Sequence, residues 1–319
     1  MYHLNFARYR FFCRAETLIE FPKYSGSAWR GALGHALRRT VCITRLESCA
    51  QCLLKFRCAY SSLFETPVPA DSPVLRKYPA APHPMIIHPE ATNARGLNEG
   101  DRFSVELTLL GQSYQHLPYL VYAWRKMGEK GIGNRQGRFE LERIDQWTPA
   151  GWRGISGADN LQPAPAGPLP SPPKEVPGDV ISIDLTTPAR IKYRGNLMGQ
   201  GDFHFRGWLG ALMRRLSLLS CFYGEGQLSL DFRGLLEQAG PVKPVQADLH
   251  WNEWRRYSNR QRTWMNMGGI MGRLTFESGD LAPFWPWIWA GQWLHVGKGT
   301  VMGLGGYRLS GGPVALPGG

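Results

Sequence analysis

The residues from Pro149 to Gly178 constrain this chain most, because they contain the run PAPAGPLPSPPKEVPG. Proline fixes φ and has no N–H, so such a run fits neither a helix interior nor a central strand. The spacing predicts a stiff, exposed linker over 149–178 between two folding units, 1–148 and 179–319. With 319 residues in all, each half is large enough to bury its own core.

The two halves read alike. In the first, His3 to Arg14 is a strand, Phe21 to Gly26 a loop, and Ala28 to Val41 a helix capped by Ser25 or Ser27. Beyond a proline-rich loop, Thr66 to Pro84, come strands at Met85–His88 and Arg102–Leu110. A helix at Tyr119–Lys130 and a strand at Arg138–Trp147 complete it. The second half repeats the order. Its strand is Val180–Leu185, its helix Phe203–Phe222, its strand pair Gln246–Tyr257 and Gly269–Phe276. The helix Leu281–Leu294 and the last strand Tyr307–Leu309 follow. A β-α-β-β-α-β order in each half predicts an α+β protein of two tandem ferredoxin-like domains. Trp285, Trp289 and Trp293 share one helical face, which reads as core in preference to a base-stacking surface.

The chain is basic, with net charge +12 and a pI near 9.6. Residues 1–148 carry 20 basic and 13 acidic groups and residues 149–319 carry 17 and 12, so the excess is spread over both halves. That balance points to a polyanionic partner. Apolar pieces near the start are broken by Arg8, Arg10, Arg14 and Glu16, and no apolar run approaches membrane-spanning length. A cytoplasmic protein without a membrane role is the expectation, and there cysteines stay reduced.

Four of the six cysteines crowd one short segment: Cys42, Cys49, Cys52 and Cys58, spaced C-x6-C-x2-C-x5-C. Four thiolates meeting at one point suit a closed, structural zinc site. Four reduced thiols or an iron–sulfur cluster are the alternatives. Cys13 and Cys221 stand alone and read as buried apolar residues.

His35 lies on the first predicted helix, about 120° from the apolar stripe of Trp29, Leu33, Ala36 and Leu37. Its neighbours are Gly31, Arg38 and Arg39, a small and cationic setting that suits chemistry more than core packing. His83, His88 and His116 show no ligand spacing. Two segments suit nucleic acid. Trp254 to Arg262 places Arg255, Arg256, Arg260 and Arg262 among Tyr, Ser, Asn and Gln, a surface for phosphates and base edges. His295 to Leu309, HVGKGTVMGLGGYRL, interleaves Gly297, Gly299, Gly303, Gly305 and Gly306 with Lys298 and Thr300. Such turns can aim N–H groups at one anion, although the P-loop spacing is absent.

Together, SGSAWRGALGHALRRTVC, the cysteine cluster ending in CAYSSLFE, RRYSNRQRTWMNMGGIMG and the terminal glycine-rich loop resemble the CRISPR-associated endoribonucleases that process precursor crRNA. These form the sixth Cas family of the RAMP superfamily, and the cysteine cluster resembles one subgroup of it. The resemblance implies a protein that grips the stem-loop of a CRISPR repeat and cuts once on its 3′ side. No metal takes part: a 2′-hydroxyl attacks the scissile phosphate, leaving a 2′,3′-cyclic phosphate and a 5′-hydroxyl. No catalytic cofactor is expected. It implies His35 as the catalytic histidine and Tyr24, in the preceding loop, as its companion, with Lys23, Arg38 and Arg39 stabilising charge. Arg30, Arg206 and Arg214 join the glycine loop and the arginine segment as RNA contacts, and other Cas subunits are expected partners. His204 and His295 are second candidates for catalysis. The alternative is a crRNA-binding subunit that does not cut.

Overall fold

The structure is a computed structural model. It describes residues 4–75, 78, 80–90, 96–156, 160–258 and 263–311. The chain divides into two units. One comprises residues 3–168 with 222–224, the other chiefly 169–221 with 225 onward.

The N-terminal unit is built on β1 (Asn5–Ala15), α1 (Gly26–Val41), β2 (Met85–Pro89), β3 (Arg102–Leu110), α2 (Leu117–Lys130) and β4 (Phe139–Thr148). Its antiparallel strands run in the order β2-β3-β1-β4, the ferredoxin-like arrangement. Alternation along β1 explains how the helices are held: Tyr9, Phe11, Cys13 and Ala15 are buried, while Arg8, Arg10 and Arg14 stay partly exposed on the other face. Under the helices Trp29 of α1 stacks on Trp124 of α2, with ring centroids 5.4 Å apart and planes at 10°. Phe11 stacks on the other side of Trp124 at 4.4 Å. Cys13 accepts the Trp124 indole N–H at 3.4 Å, and burial pushes its thiol pKa up to about 12. Ser25 occupies the N-cap of α1, but its side chain makes no capping bond. Its carbonyl instead accepts the N–H groups of Ala28 and Trp29.

The predicted linker is partly sheet. β5 (Gly151–Gly154) pairs with β4, and β6 (Gly167–Pro168) pairs with β1 at Asn5 and Phe6. Proline is tolerated there because β6 lies at the sheet margin, where no further strand needs its missing N–H.

On the outer face of this sheet Glu106 of β3 receives Arg8 and Arg10 of β1, the latter at 2.7 Å. Burial pushes the Glu106 pKa up, but the two guanidinium groups outweigh it and hold the carboxyl below its usual range. A depressed native pKa contributes stability above the unfolded value, which is lost as pH falls through the native one. Glu106→Gln is therefore expected to cost about 1–3 kcal/mol at neutral pH. Urea midpoints of the two proteins should converge as the pH falls below the carboxylate range; a constant gap would rule out an ionic origin.

The C-terminal unit repeats the plan with β7 (Val180–Ala189), a small hairpin of β8 (Lys192–Tyr193) and β9 (Asn196–Leu197), α3 (Phe205–Tyr223), and α4 (Phe232–Gln238). β10 (Gln246–Asn252), the ribbon β11 (Arg255–Ser258) and β12 (Thr263–Asn266), and β13 (Gly269–Glu277) follow. The unit ends with α5 (Ser278–Leu281), α6 (Trp285–Leu294) and β14 (Tyr307–Ser310). Its sheet order is β10-β13-β7-β14, the same arrangement as before. The strand expected over Gln246–Tyr257 therefore breaks at Asn252, and Arg255 onward forms a separate two-stranded sheet.

In the core, Phe205 and Trp208 of α3 meet Phe276 and Tyr307, each pair with centroids 5.3 Å apart. Trp285, Trp289 and Trp293 are buried, and the first two donate their indole N–H groups to the carbonyls of Pro173 and Pro170. A proline segment offers unpaired carbonyls, so the tryptophan face and the Pro-rich run satisfy each other. Among the described residues no helix is long and apolar enough to cross a membrane.

Candidate functional site

α1 has the period expected of it. Trp29, Leu33 and Leu37 are fully buried, while His35 and Arg39 are exposed. Gly31, one turn before His35, has open space where a side chain would be. Across from α1, α2 ends at Lys130, whose Nζ lies 3.5 Å from His35 Nε2. His35 carries a lowered pKa, caused first by partial burial and then by the charges of Lys130, Arg39 and Arg38. The imidazole is thus neutral at neutral pH and surrounded by cations. Lys130 is 95 residues away in sequence, and nothing in its local context marks it.

Tyr24 and Lys23 sit just before α1. From Gly26 to His35 the helix axis rises about 14 Å at 1.5 Å per residue, so Tyr24, before the first turn, is set well back along the axis from His35 in mid-helix. Burial raises the Tyr24 hydroxyl pKa, which keeps it a proton donor. Arg38 is engaged elsewhere: Nη2 donates to the Leu46 and Glu47 carbonyls, the latter at 2.9 Å, and the guanidinium lies 5.7 Å from the Tyr60 ring centroid. Arg30 sits 5.4 Å from the ring centroid of Phe64. These two arginines bind the cysteine segment and the turn Ser61–Glu65 to α1.

The structural zinc site expected on Cys42, Cys49, Cys52 and Cys58 is not supported. Among the described residues no group of three or more His, Cys, Asp or Glu side chains is arranged to hold a metal ion. All four are free thiols. They line a single cavity of about 520 Å³ together with Val41, Leu54, Tyr60 and Tyr119. Cys42 ends α1 through its N–H to the Arg38 carbonyl, and Cys52 Sγ lies 3.5 Å from the Thr44 hydroxyl, whose hydrogen bond lowers its pKa. Burial, then Glu65, raises that of Cys49. The residues present do not fit a closed tetrahedral ion. Cys221 is half-buried, unlike Cys13.

The glycine stretch divides sharply. Thr300, Gly303, Gly305 and Gly306 are buried, while Gly297, Lys298, Gly299 and Arg308 reach the surface. The Gly305 N–H donates to Pro188 O, that of Gly306 to the Thr187 hydroxyl, and Thr187 in turn donates to Gly303 O at 2.7 Å. These N–H groups hold the loop to β7 and are not aimed outward. His295 belongs to the same packing: it is buried, and its Nδ1 lies 3.1 Å from Leu304 O. His204 is exposed beside Tyr193, with ring centroids 5.0 Å apart. Arg206 and Arg214 are exposed on α3.

The ribbon β11–β12 carries Arg255, which is exposed, and Arg256, which is half-buried and has its pKa lowered by that burial. Arg260 and Arg262 lie outside the described residues. Opposite each other across the ribbon stand Tyr257 and Trp264, 48% and 65% exposed, packed edge to face at 5.6 Å. Trp264 escaped the sequence reading because a tryptophan two residues past an arginine run has no signature of its own. The strand alternation that pairs it with Tyr257 appears only once the register is known.

The comparisons agree with this architecture. A family model described as the AF_1859_N N-terminal domain matches residues 4–166, and one described as CRISPR-associated endoribonuclease Cas6 matches residues 183–307. An uncharacterised protein of Archaeoglobus fulgidus is 24% identical over 277 residues, covering 84% of this chain and 86% of that one. Among solved structures, a Cas6 product complex superposes with a TM-score of 0.56 at 13% identity, covering 96% and 99% of the two chains. Thermus thermophilus Cas6 does so at 0.53 and 12% identity, covering 96% and 99%. A Cas6-RT-Cas1–Cas2 complex chain reaches 0.57 at 16%, and this chain, covered to 97%, spans 46% of its length. The chain thus belongs to the family of the AF_1859_N domain, matches the Cas6 model over residues 183–307, and shares the fold of the solved Cas6 structures.

Proposed function

We propose that this protein is a CRISPR repeat endoribonuclease that trims precursor crRNA with His35 as general base. The observation that carries this is the exposed, neutral imidazole of His35 held beside Lys130 and Arg39. A base poised below neutrality takes the proton of a ribose 2′-hydroxyl. The oxygen then attacks the adjacent phosphorus, and the bond to the 5′-oxygen of the next nucleotide breaks. That oxygen leaves as a 5′-hydroxyl after taking a proton, and a 2′,3′-cyclic phosphate remains. Lys130 and Arg39 stabilise the extra negative charge of the phosphorane-like transition state. Proton transfer and cationic stabilisation suffice for this chemistry, so the reaction is metal-independent. The solved Cas6 structures of this fold include a product complex, and one belongs to a Cas6-RT-Cas1–Cas2 assembly. Repeat RNA, and other Cas subunits, are the partners in this reading. A binding-only role is less favoured, since His35 is exposed and not packed into the core.

The test is end-labelled repeat RNA from the host's own array incubated in EDTA, with the termini mapped. A single cut leaving a cyclic phosphate is expected. Tight binding without any cut would leave the crRNA-binding role.

Tyr257 and Trp264 offer exposed aromatic faces beside Arg255, the combination on which unpaired bases stack. Trp264→Ala is expected to weaken RNA binding by about 5- to 100-fold, given roughly 1–3 kcal/mol per stacked base. Its melting temperature should stay that of the wild type, since Trp264 packs mainly on Tyr257; a large drop in stability would assign it to folding instead.

A further inference from the structure

The segment that follows α1 sets apolar side chains where they gain nothing for the fold. Ile43, Leu46, Leu53, Leu54 and Phe56 are all exposed, Ile43 to 82% and Leu53 to 98%. Tyr119 and Tyr122, one turn apart on α2, are exposed as well. Ile43, Leu46, Leu54 and Tyr119 line the cavity of about 520 Å³ that the four thiols also border. Leu53 and Phe56 stand on the turn beside it. The backbone holds this surface in place. Arg38 Nη2 donates to Glu47 O at 2.9 Å, Lys55 Nζ donates to Ala50 O at 3.1 Å, and the N–H groups of Arg57 and Cys58 both close on Leu54 O at 2.9 Å. Contiguous apolar surface held outward on a folded chain marks a place where another molecule binds.

The charges around the groove indicate what covers it. Arg45 and Arg57 are exposed and, among the described residues, form no ion pair. Lys55 is half-buried, its Nζ 5.3 Å from the Phe56 ring centroid. Within residues 42–58 Glu47 is the one carboxylate. An occupant with carboxylates flanking an apolar stripe therefore gains both kinds of contact. A second copy of this chain does not, because a two-fold contact would set Arg45, Lys55 and Arg57 against their own counterparts. Nucleic acid would match the cations, but Ile43 and Leu53 give a base no ring to stack on. A small ligand inside the cavity would leave Leu53 in water. Residues 42–58 form turns and one 3₁₀ helix and offer no strand edge to extend, so recognition falls to side chains in a groove, the mode of an amphipathic helix.

We propose that the groove over residues 42–58 is a docking site for an acidic amphipathic helix of a partner protein, with Ile43, Leu53 and Phe56 as apolar anchors and Arg45 and Arg57 meeting its carboxylates. The site lies wholly within the N-terminal unit and uses none of the residues given a part in RNA cleavage. It gives the cysteine-rich segment a role other than metal binding. The apolar anchors supply most of the affinity, and the two arginines set orientation and salt dependence.

The probe is a fluorescently labelled synthetic helix with leucine along one face and glutamate on either side of it, titrated with the full chain and followed by anisotropy. A second helix with lysine in place of glutamate is the control. The glutamate helix should bind wild type, and the lysine helix should bind at least about 10-fold more weakly. Leu53→Ser/Phe56→Ser should lose about 10- to 100-fold in affinity for the glutamate helix, since two anchors no longer bury apolar area. Arg45→Gln/Arg57→Gln should weaken binding and flatten its salt dependence. Both variants should keep the wild-type melting temperature, because the side chains replaced are exposed. Docking is refuted if neither helix binds, if both bind alike, or if Leu53→Ser/Phe56→Ser lowers the melting temperature and so assigns those side chains to the core. It is also refuted if wild type sediments as a dimer that this variant turns into a monomer, which would make a second copy the occupant. Loss by the same variant of affinity for repeat RNA, or for phosphatidylglycerol vesicles, would overturn it in favour of nucleic acid or a lipid surface.

Discussion

His35→Ala is expected to reduce single-turnover cleavage of repeat RNA by about 10²- to 10⁴-fold, the span of a lost general base. Affinity for the uncut RNA should change little, because His35 is exposed on α1 and holds no core packing together. The pH dependence makes this more specific. A base must be neutral to act, and the His35 pKa lies below histidine's usual 6.5 owing to partial burial and the charges of Lys130, Arg39 and Arg38. The acid limb of the rate profile should therefore sit below that value. Lys130→Ala removes one of the charges that disfavour imidazolium, so the pKa rises and the limb moves to higher pH. Lys130→Arg should keep the limb near its original place. Cleavage by His35→Ala at the wild-type rate would move the catalytic role elsewhere. A limb that shifts downward in Lys130→Ala would disprove the electrostatic account of the histidine.

Gly305→Ala is the second large effect expected, and it acts through the fold. Gly305 has φ +70°, and a Cβ there would be driven into the Val296 carbonyl oxygen, which is backbone held in place by the Val296 N–H bond to Gly305 O. Relief requires the backbone to shift, which breaks the Gly305 N–H to Pro188 O bond and the attachment of the loop to β7. Strain plus lost bonds of this kind cost about 3 kcal/mol or more, and about 6–12 °C in melting temperature for a unit of this size. The drop should appear without RNA. Gly299→Ala, nearer the surface, has φ +78° and a Cβ 2.8 Å from the flexible end of Leu304, so its loss should be smaller. Equal stability of Gly305→Ala and wild type, with RNA binding alone impaired, would restore the glycine loop as a direct anion nest.

Much of the architecture was legible because it rests on local periodicity. Alternation in β1 and β7 and the 3.6-residue period of α1 and α3 act over a few residues each, so they can be read without knowing what packs on them. The separation of His35 from the Trp29–Leu33–Leu37 stripe is of this kind. The cysteine spacing and the glycine run were legible as patterns, yet their chemistry was not. Whether four thiols meet at a point depends on how the segment after α1 turns, and here Cys42 closes a helix while Cys52 faces Thr44. Whether glycine N–H groups face an anion or a neighbouring strand depends on β7, more than a hundred residues earlier, and Thr187 and Pro188 claim them.

By itself, then, the amino-acid order determined two ferredoxin-like units, a basic surface and a histidine set on the open face of the first helix. Only the tertiary structure decided that Lys130 stands beside that histidine and that Thr187 and Pro188 of β7 take up the glycine-loop N–H groups. The physical reason is that periodicity is a property of a single element, whereas charge neighbours and hydrogen-bond partners come from elements that the chain brings together across long separations.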